Sequence, residues 1–350
     1  MCAACATIGP PRPPSLELPK PPTDLRAARK GDQVRLTWTV PTSTTDRQRV
    51  RSFGVTRVCR GIEPLLNECG TAVGEAPPID HMVLNKAAAQ KVQSTYTDTL
   101  PKELESKSPL GYATYAVEVV NAERRGAGLS NQVKVPLVQT LPPPKDFAAS
   151  VSDRGVLLTW TGNLWSLTDV DPVHYVYRVY RRQEGSQQQV LVGESPVGVD
   201  AHPSIVDQSF EWEQTYYYHL TTLTVIGRFG KDEVRVEGDD TPEIKVFAHD
   251  VFSPAVPSGL EAVFSGPGQQ AFIDLIWAPV SDLDLAGYNV YRREEGAEWV
   301  RVNADLVTAP AYRDTHVASG KSYWYSVSAV DVRGNESARS EEATESVPQN

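Results

Sequence analysis

The chain has 350 residues, of which 40% are hydrophobic, 22% charged and 8% aromatic, a composition typical of a folded protein of two or three domains. Its 44 acidic and 34 basic side chains give a net charge of -10, and no basic cluster stands out. Because such a surface repels phosphate backbones, we expect no nucleic-acid partner. Charged residues or prolines interrupt every long apolar run, so the sequence predicts no membrane-spanning helix.

The first segment, residues 1–20, is rich in proline and begins with MCAACATIG. Its run GPPRPPSLELPKPP is expected to form an extended polyproline II spacer. Cys5 follows two alanines, which resembles the end of a bacterial lipoprotein signal, although the charged and apolar parts of such a signal are missing. We therefore expect Cys5 to carry a lipid anchor. The alternative is a frayed terminus in which Cys2 and Cys5 are exposed thiols.

Three blocks of similar sequence follow. Each opens with a proline-containing segment and then an alternating strand that ends in a tryptophan, which is Trp38, Trp160 or Trp277. The next strand is rich in tyrosine and valine: YRVYRRQEG begins at Tyr177, YNVYRREEG at Tyr288, and the first block has the divergent TRVCRG. An aspartate then precedes the last long strand of each block, at Asp98, Asp207 and Asp314.

The strand pattern predicts an all-β protein. β-Branched and aromatic residues alternate with polar ones between clusters of glycine, proline and aspartate, which is typical of sheets packed face to face. Only LNKAAAQKV, from Leu84, has a helical pattern, and it lies in an insertion of the first block. Without helices between the strands, β-sandwiches are favoured over a parallel sheet.

These motifs resemble the fibronectin type III domain. The resemblance implies three tandem immunoglobulin-like sandwiches at residues 21–138, 139–249 and 250–350. It also implies that Tyr216 and Tyr323 are the corner tyrosines whose phenols bond nearby backbone, whereas the first block has Ala113 at that position, after Tyr112. A shared fold does not determine function.

Cys59 replaces Tyr180 and Tyr291 of the other blocks, and Cys69 follows across the next turn. We expect these two cysteines to form a disulfide, which requires an oxidising compartment such as the cell envelope or the exterior. The alternative that stays open is a pair of buried free thiols.

Catalytic motifs are absent from the sequence. The six histidines are scattered, with His219 expected at a strand surface, and no nucleophile elbow, P-loop or dinucleotide fingerprint occurs. The CxxC of Cys2 and Cys5 stands in a proline-rich tail that suits neither a redox nor a zinc site. We therefore predict no enzyme activity, no cofactor and no resident metal.

Two binding chemistries were weighed against structural roles. The pairs Asp169 and Asp171, and Asp282 and Asp284, offer oxygen ligands for calcium, but aspartate also favours turns, and the turn role is preferred. The four tryptophans outside the repeat positions could stack on sugar rings, although single exposed aromatics are common; they are Trp165, Trp212, Trp299 and Trp324. The tripeptide KGD at residues 30–32 is interpreted as a tight turn and not as an adhesion motif.

The sequence thus predicts a non-catalytic protein of the cell envelope or surface. Its tandem sandwiches would act as a structural scaffold for an unidentified protein partner, with a lipid anchor in the membrane. The alternative is a carbohydrate-binding or accessory module that works beside a glycan-active enzyme.

Overall fold

The computed structural model describes residues 16–52, 54–78, 80, 91–163, 173–227, 233–266, 268 and 270–349. The predicted helix beginning at Leu84 and the whole of MCAACATIG lie outside these residues. None of the helices described in the structure is long and apolar enough to cross a membrane.

The first sandwich packs a three-stranded sheet, β1-β2-β5, against a four-stranded sheet, β4-β3-β6-β7. Its strands are β1 (Arg26–Lys30), β2 (Gln33–Thr39), β3 (Thr56–Gly61), β4 (Gly74–Ala76), β5 (Gln93–Thr99), β6 (Tyr112–Val119) and β7 (Val133–Pro136), with helix α1 (Lys102–Lys107) before β6.

The second sandwich combines the sheet β8-β9-β12 with the strands β11-β10-β13-β14, and β15 pairs with β13. Because β14 also pairs with β1, these strands and β1-β2-β5 of the first sandwich form one eight-stranded sheet. Its strands are β8 (Lys145–Ser152), β9 (Gly155–Thr161), β10 (Val173–Gln183), β11 (Val190–Pro196), β12 (Ser204–Asp207), β13 (Gln214–Ile226), β14 (Val234–Glu237) and β15 (Ile244–Ala248).

The third sandwich repeats the arrangement with β16-β17-β20 and β19-β18-β21-β22. Its strands are β16 (Ser258–Phe264), β17 (Ile273–Ala278), β18 (Leu285–Glu294), β19 (Val300–Arg301), β20 (Ala311–Asp314), β21 (Ser322–Asp331) and β22 (Ala343–Ser346). The all-β prediction and the fibronectin type III-like architecture are confirmed.

The cores contain the residues that the repeat marks. Trp38, Trp160 and Trp277 are buried, and two of them meet a tyrosine of the next strand edge to face: the ring centroids of Trp160 and Tyr177 are 5.3 Å apart, and those of Trp277 and Tyr288 are 5.2 Å apart. Such aromatic pairs add about 0.5–1.5 kcal/mol to what area burial alone contributes.

Of the two corner tyrosines, Tyr323 has a bond of the expected kind, because its phenol oxygen accepts the backbone N–H of Ala318 at 3.0 Å. Tyr216 is buried, as is Ala113 at the equivalent position of the first sandwich.

Helix α1 was not predicted from the sequence. It is a six-residue helix after Pro101, with Glu105 in its first turn and Lys107 in its last, which is the charge order that the helix dipole favours. Glu105 is buried and pairs with Arg29 at 2.5 Å. A helix of this length is too short to show an apolar stripe, and in the structure Leu104 packs against the core of the first sandwich.

The chain divides into two compact units. One contains the residues up to Ser150, with Val156–Ser209 and Thr215–Val246; the other contains Val151–Gly155, Phe210–Gln214 and Phe247–Asn350. The first two sandwiches therefore belong mostly to one unit.

Candidate functional site: the joint between the first two sandwiches

The turn between β1 and β2 packs onto the second sandwich. Lys30 pairs in parallel with Glu237 of β14, and the N–H of Gly31 donates to the Glu237 carbonyl at 2.7 Å. Gly31 has a φ of 54°, and a Cβ atom there would lie 2.3 Å from Oδ1 of Asp239. The left-handed backbone conformation favours glycine at the centre of the contact, and any larger residue would also have to displace the Asp239 side chain. The tripeptide KGD is thus a tight turn, as predicted, and its first two residues make this joint.

Acidic side chains of the second sandwich hold the lysine of this turn. Lys30 Nζ lies 2.7 Å from Asp240 Oδ2 and 3.7 Å from Glu237 Oε2. The other carboxylate oxygen of Glu237 accepts the phenol of Tyr180 at 2.5 Å. Burial, together with this bond to a carboxylate, raises the pKa of Tyr180 to about 12, so the phenol remains a donor at neutral pH.

The linker between the two sandwiches is also bonded to the second one. Thr222 and Thr224 of β13 donate through Oγ1 to the carbonyls of Leu141 and Gln139, at 3.1 and 3.2 Å. These threonines are buried, and they lie on the same face of β13 as Tyr218 and Leu220, which is the inner face of the sheet. The linker is therefore bonded to the inner face of this sheet.

The expectation that His219 lies at the surface is wrong. His219 alternates with core residues of β13, as the sequence indicated, but only 3% of it is exposed. The strand is buried on both faces from Tyr218 to Val225.

Each sandwich also contains a buried carboxylate that joins its two sheets. Asp207 accepts the phenol of Tyr218 at 2.9 Å and the guanidinium of Arg181 at 2.7 Å. The equivalent sets are Arg60, Asp98 and Tyr115 in the first sandwich, and Arg292, Asp314 and Tyr325 in the third. Because the arrangement recurs three times and is buried each time, we assign it a structural role and not a catalytic one.

The tyrosines of these sets are strong hydrogen-bond donors. Burial, followed by the neighbouring carboxylate, raises the pKa of Tyr115, Tyr218 and Tyr325 well above the ordinary value of 10.0. The phenols consequently stay protonated through the physiological range and satisfy the aspartates that face them.

Cys59 and Cys69 are joined by a disulfide, with Cα atoms 5.1 Å apart. The bridge holds the loop after β3 against the outer face of the first sandwich, where Leu66 packs on Cys59 and Ala116. The side chain of Gln132 bonds both the N–H and the carbonyl of Leu66, at 2.8 and 2.7 Å. This face is the one that receives the Lys30 turn in the second sandwich. Cys5, the predicted lipidation site, lies outside the described residues.

Of the two predicted acidic pairs, only Asp282 and Asp284 are among the described residues, and these two aspartates have different neighbours. Asp169 and Asp171 lie outside the described residues, and Asp282 accepts the N–H of Ala255 at 2.6 Å. Asp284 instead comes near Asp250 and Asp331, one oxygen of each lying within 4.8 Å of the others.

Side-chain donors already contact two of these three carboxylates. Asn335 donates to Asp331 at 2.8 Å, and Arg333 pairs with Asp250 at 3.4 Å. The side chain of Asn335 also reaches the Asp250 carbonyl at 3.3 Å, so the cluster ties three loop segments of the third sandwich together.

Of the four tryptophans outside the repeat positions, Trp165 lies outside the described residues and Trp212 packs on Phe210, with ring centroids 4.8 Å apart. Trp299 and Trp324 are half-buried on the outer face of the third sandwich. The guanidinium of Arg293 lies 5.1 Å from each of their rings, and that of Arg339 lies 5.5 Å from Trp299. Two cations of the same chain therefore lie near the ring of Trp299.

A cavity of about 330 Å³ lies beside the linker, within the first compact unit. Its walls are the prolines of QTLPPPK, the end of β9 and the ring of Tyr177, whose phenol oxygen accepts the N–H of Asn163 at 2.7 Å.

The contacts that Lys30, Gly31 and His219 make at the joint were not predicted from the sequence. One signal was available: the stretch TYYYHLTTLTVI in β13 contains no acidic, lysine or arginine side chain, which indicates a strand buried on both faces.

Parts of the chain are similar to known proteins. No family model matches the chain. Among curated proteins, an amylopullulanase of Thermoanaerobacterium saccharolyticum is 42% identical over 92 residues, which are 26% of this chain and 7% of that protein. The amylopullulanase of Thermoanaerobacterium thermosulfurigenes is 39% identical over 95 residues, or 27% of this chain and 5% of that protein. The chain thus spans less than a tenth of the length of the curated relatives it matches.

Two solved structures are also similar. An Fn3-like protein from Clostridium thermocellum is 35% identical and covers 28% of this chain and 98% of its own, with a TM-score of 0.24. The FN1–FN3 domains of chicken CNTN1 are 14% identical and cover 95% of this chain and 100% of their own, with a TM-score of 0.25. The strand order and the repeated cores make these sandwiches fibronectin type III-like.

Proposed function

We propose that this chain is a non-catalytic accessory segment that works beside a glycan-active catalytic domain, as a structural and protein-interaction scaffold. The similarity to short segments of large amylopullulanases supports the glycan-active setting. The observation that carries the scaffold role is the joint, in which Lys30, Gly31 and the linker fix two sandwiches against each other. A spacer made in this way keeps a fixed distance and angle between the parts that it connects.

An assay of the chain fused to an amylopullulanase catalytic domain tests the scaffold role. We expect the fusion to retain more activity after heating than the catalytic domain alone. A Lys30→Glu fusion should lose part of that gain, because the joint is weakened. Lys245→Glu is the matched control, since the pair of Lys245 with Glu184 is exposed and includes no residue of the first sandwich or the linker. Equal heat inactivation of all four proteins contradicts the scaffold role.

The non-catalytic part of the proposal has its own test. The chain alone, incubated with pullulan and with starch, should release no more reducing sugar than a heat-inactivated sample. Release that depends on the folded chain would show that it is an enzyme.

A location outside the reducing cytoplasm, in the cell envelope, is proposed as well. The disulfide between Cys59 and Cys69 supports it, because such bonds persist in oxidising compartments. Mass spectrometry of the native protein under non-reducing conditions tests both cysteine predictions together. It should find the peptide pair linked and Cys5 with the added mass of acyl chains. Free thiols at Cys59 and Cys69 remove the support for this location.

A further inference from the structure

The imidazole of His219 is enclosed within the joint. Its ring stacks on that of Tyr180, with centroids 5.3 Å apart and an angle of 21° between the planes. Its Nε2 atom makes no hydrogen bond with any residue that the structure describes, and it lies 3.7 Å from Oδ1 of Asp240. A side chain that can accept a proton near neutral pH thus stands, without a partner for that nitrogen, where the two sandwiches meet.

The carboxylate that lies near Nε2 of His219, that of Asp240, already has a partner. Asp240 holds the ammonium of Lys30 at 2.7 Å, so a proton on His219 would place a second cation beside it. The charged and titratable groups that act on the ring come from several elements: Lys30 from β1, Tyr180 from β10, Glu237 from β14, and Asp240 and Glu243 from the segment after β14.

The closed joint favours the neutral imidazole. Burial lowers the pKa of His219 below its ordinary value of 6.5, and the charge of Lys30 lowers it further, while Asp240, Glu243 and Glu237 oppose this shift without reversing it.

We propose that His219 makes the docking of the first sandwich on the second sensitive to pH. Uptake of a proton on Nε2 loosens the contact of Lys30 and Gly31 with Glu237 and Asp240. When the joint opens, the ring enters water and binds protons with a pKa of about 6.5. Because the open joint binds the proton more readily than the closed one, docking is at full strength above about pH 6.5 and weakens below it.

Hydrogen exchange of the full chain measures this opening directly. The reporter is the amide of Gly31, whose N–H is bonded to the Glu237 carbonyl. Its protection factor, corrected for the intrinsic exchange rate at each pH, is followed between about pH 5 and pH 8. We expect it to be constant in the upper part of this range and to fall by up to about tenfold per pH unit below about pH 6.5.

Two variants and a control separate the titration from a structural role. His219→Phe keeps an aromatic ring on Tyr180 but cannot take a proton, and His219→Gln removes the ring as well. Either variant should have a Gly31 protection factor that no longer depends on pH. The control His316→Gln replaces an exposed histidine of the third sandwich and should behave as the unmodified chain does.

Three results overturn the proposal. One is a protection factor that stays flat or rises on acidification of the unmodified chain. Another is an unchanged fall in His219→Phe. The third comes from NMR titration of the unmodified chain, and is a pKa of His219 at or above about 6.5. This last measurement decides the question even where a substitution unfolds the second sandwich.

Discussion

The phenol of Tyr218 donates to Oδ2 of Asp207 at 2.9 Å, although the residues belong to opposite sheets of the second sandwich. Tyr325 and Asp314 repeat this bond in the third sandwich at 3.0 Å. Hydrogen bonds to a charged group contribute about 1.5–3 kcal/mol. We expect Tyr325→Phe to lower the free energy of unfolding of the third sandwich by that amount, measured by chemical denaturation.

Tyr217→Phe serves as the control for this prediction. The phenol of Tyr217 also donates to a carboxylate, that of Glu184 at 3.0 Å, but at an exposed position. Its loss should cost less than about 1 kcal/mol. Equal effects of Tyr325→Phe and Tyr217→Phe would show that burial adds nothing to the bond.

Alkaline pH should weaken all three sandwiches. The pKa values of Tyr115, Tyr218 and Tyr325 are raised in the folded chain, above the value of 10.0 that an exposed phenol has. Their contribution to stability is therefore complete below about pH 10 and is lost as the pH rises beyond it, because the unfolded chain releases these protons first. Ultraviolet absorbance of phenolate should rise together with the loss of near-ultraviolet circular dichroism. Ionisation of these phenols without loss of tertiary signal contradicts this account.

The joint should respond to charge reversal at Lys30. Removing an exposed ion pair costs about 0.2–1 kcal/mol, and Glu at this position adds repulsion from Glu237 and Asp240. In calorimetry of the full chain, Lys30→Glu should separate the unfolding of the first two sandwiches. The double change Lys30→Glu with Asp240→Lys should bring the transitions back together. Failure of that reversal to restore the joint means that the Gly31 backbone bond, and not the ion pair, determines docking.

Breaking the disulfide should destabilise the first sandwich. Cys59 and Cys69 are 10 residues apart, and closing so short a loop contributes roughly 2–3 kcal/mol in the chain-entropy model. Cys59→Ser with Cys69→Ser, or reduction of the native protein, should lower the free energy of unfolding by this amount, while the third sandwich keeps its transition. A change of less than about 0.5 kcal/mol would indicate that the loop is held by Leu66 and Gln132 alone.

The tryptophans of the third sandwich should act in stability more than in sugar binding. Arg293 and Arg339 lie over the ring of Trp299, and a cation over an aromatic ring contributes about 0.5–1 kcal/mol at exposed sites. We expect Trp299→Ala to lower the melting temperature of the third sandwich and to leave any signal on a glycan array unchanged. Loss of glycan binding at unchanged stability would favour a carbohydrate platform on this face.

Much of the architecture was predictable because it depends on local alternation. Trp160 and Trp277 each end a strand whose alternating residues face inward, and Asp207 and Asp314 occupy the same place in their repeats. The sequence therefore marked these residues as important without indicating which residues they contact. The partners themselves were not, since Arg181 approaches Asp207 from a strand of the other sheet.

The joint lay beyond such reasoning for a different reason. The alternation of residues in β13 correctly predicts that His219 lies on the outer face of the strand. No local pattern shows whether that face is exposed or buried. Lys30 and Asp240 are far apart in sequence, and each has the ordinary appearance of a surface residue. Only the uncharged character of β13 indicated that its outer side is closed.

The disulfide-bonded loop makes the outer face of the first sandwich different from that of the second. Cys59 occupies the place of Tyr180, and the loop that it holds covers the surface which in the next sandwich accepts a lysine-glycine turn. The turn of another sandwich would therefore find this face of the first sandwich already occupied by the chain's own loop.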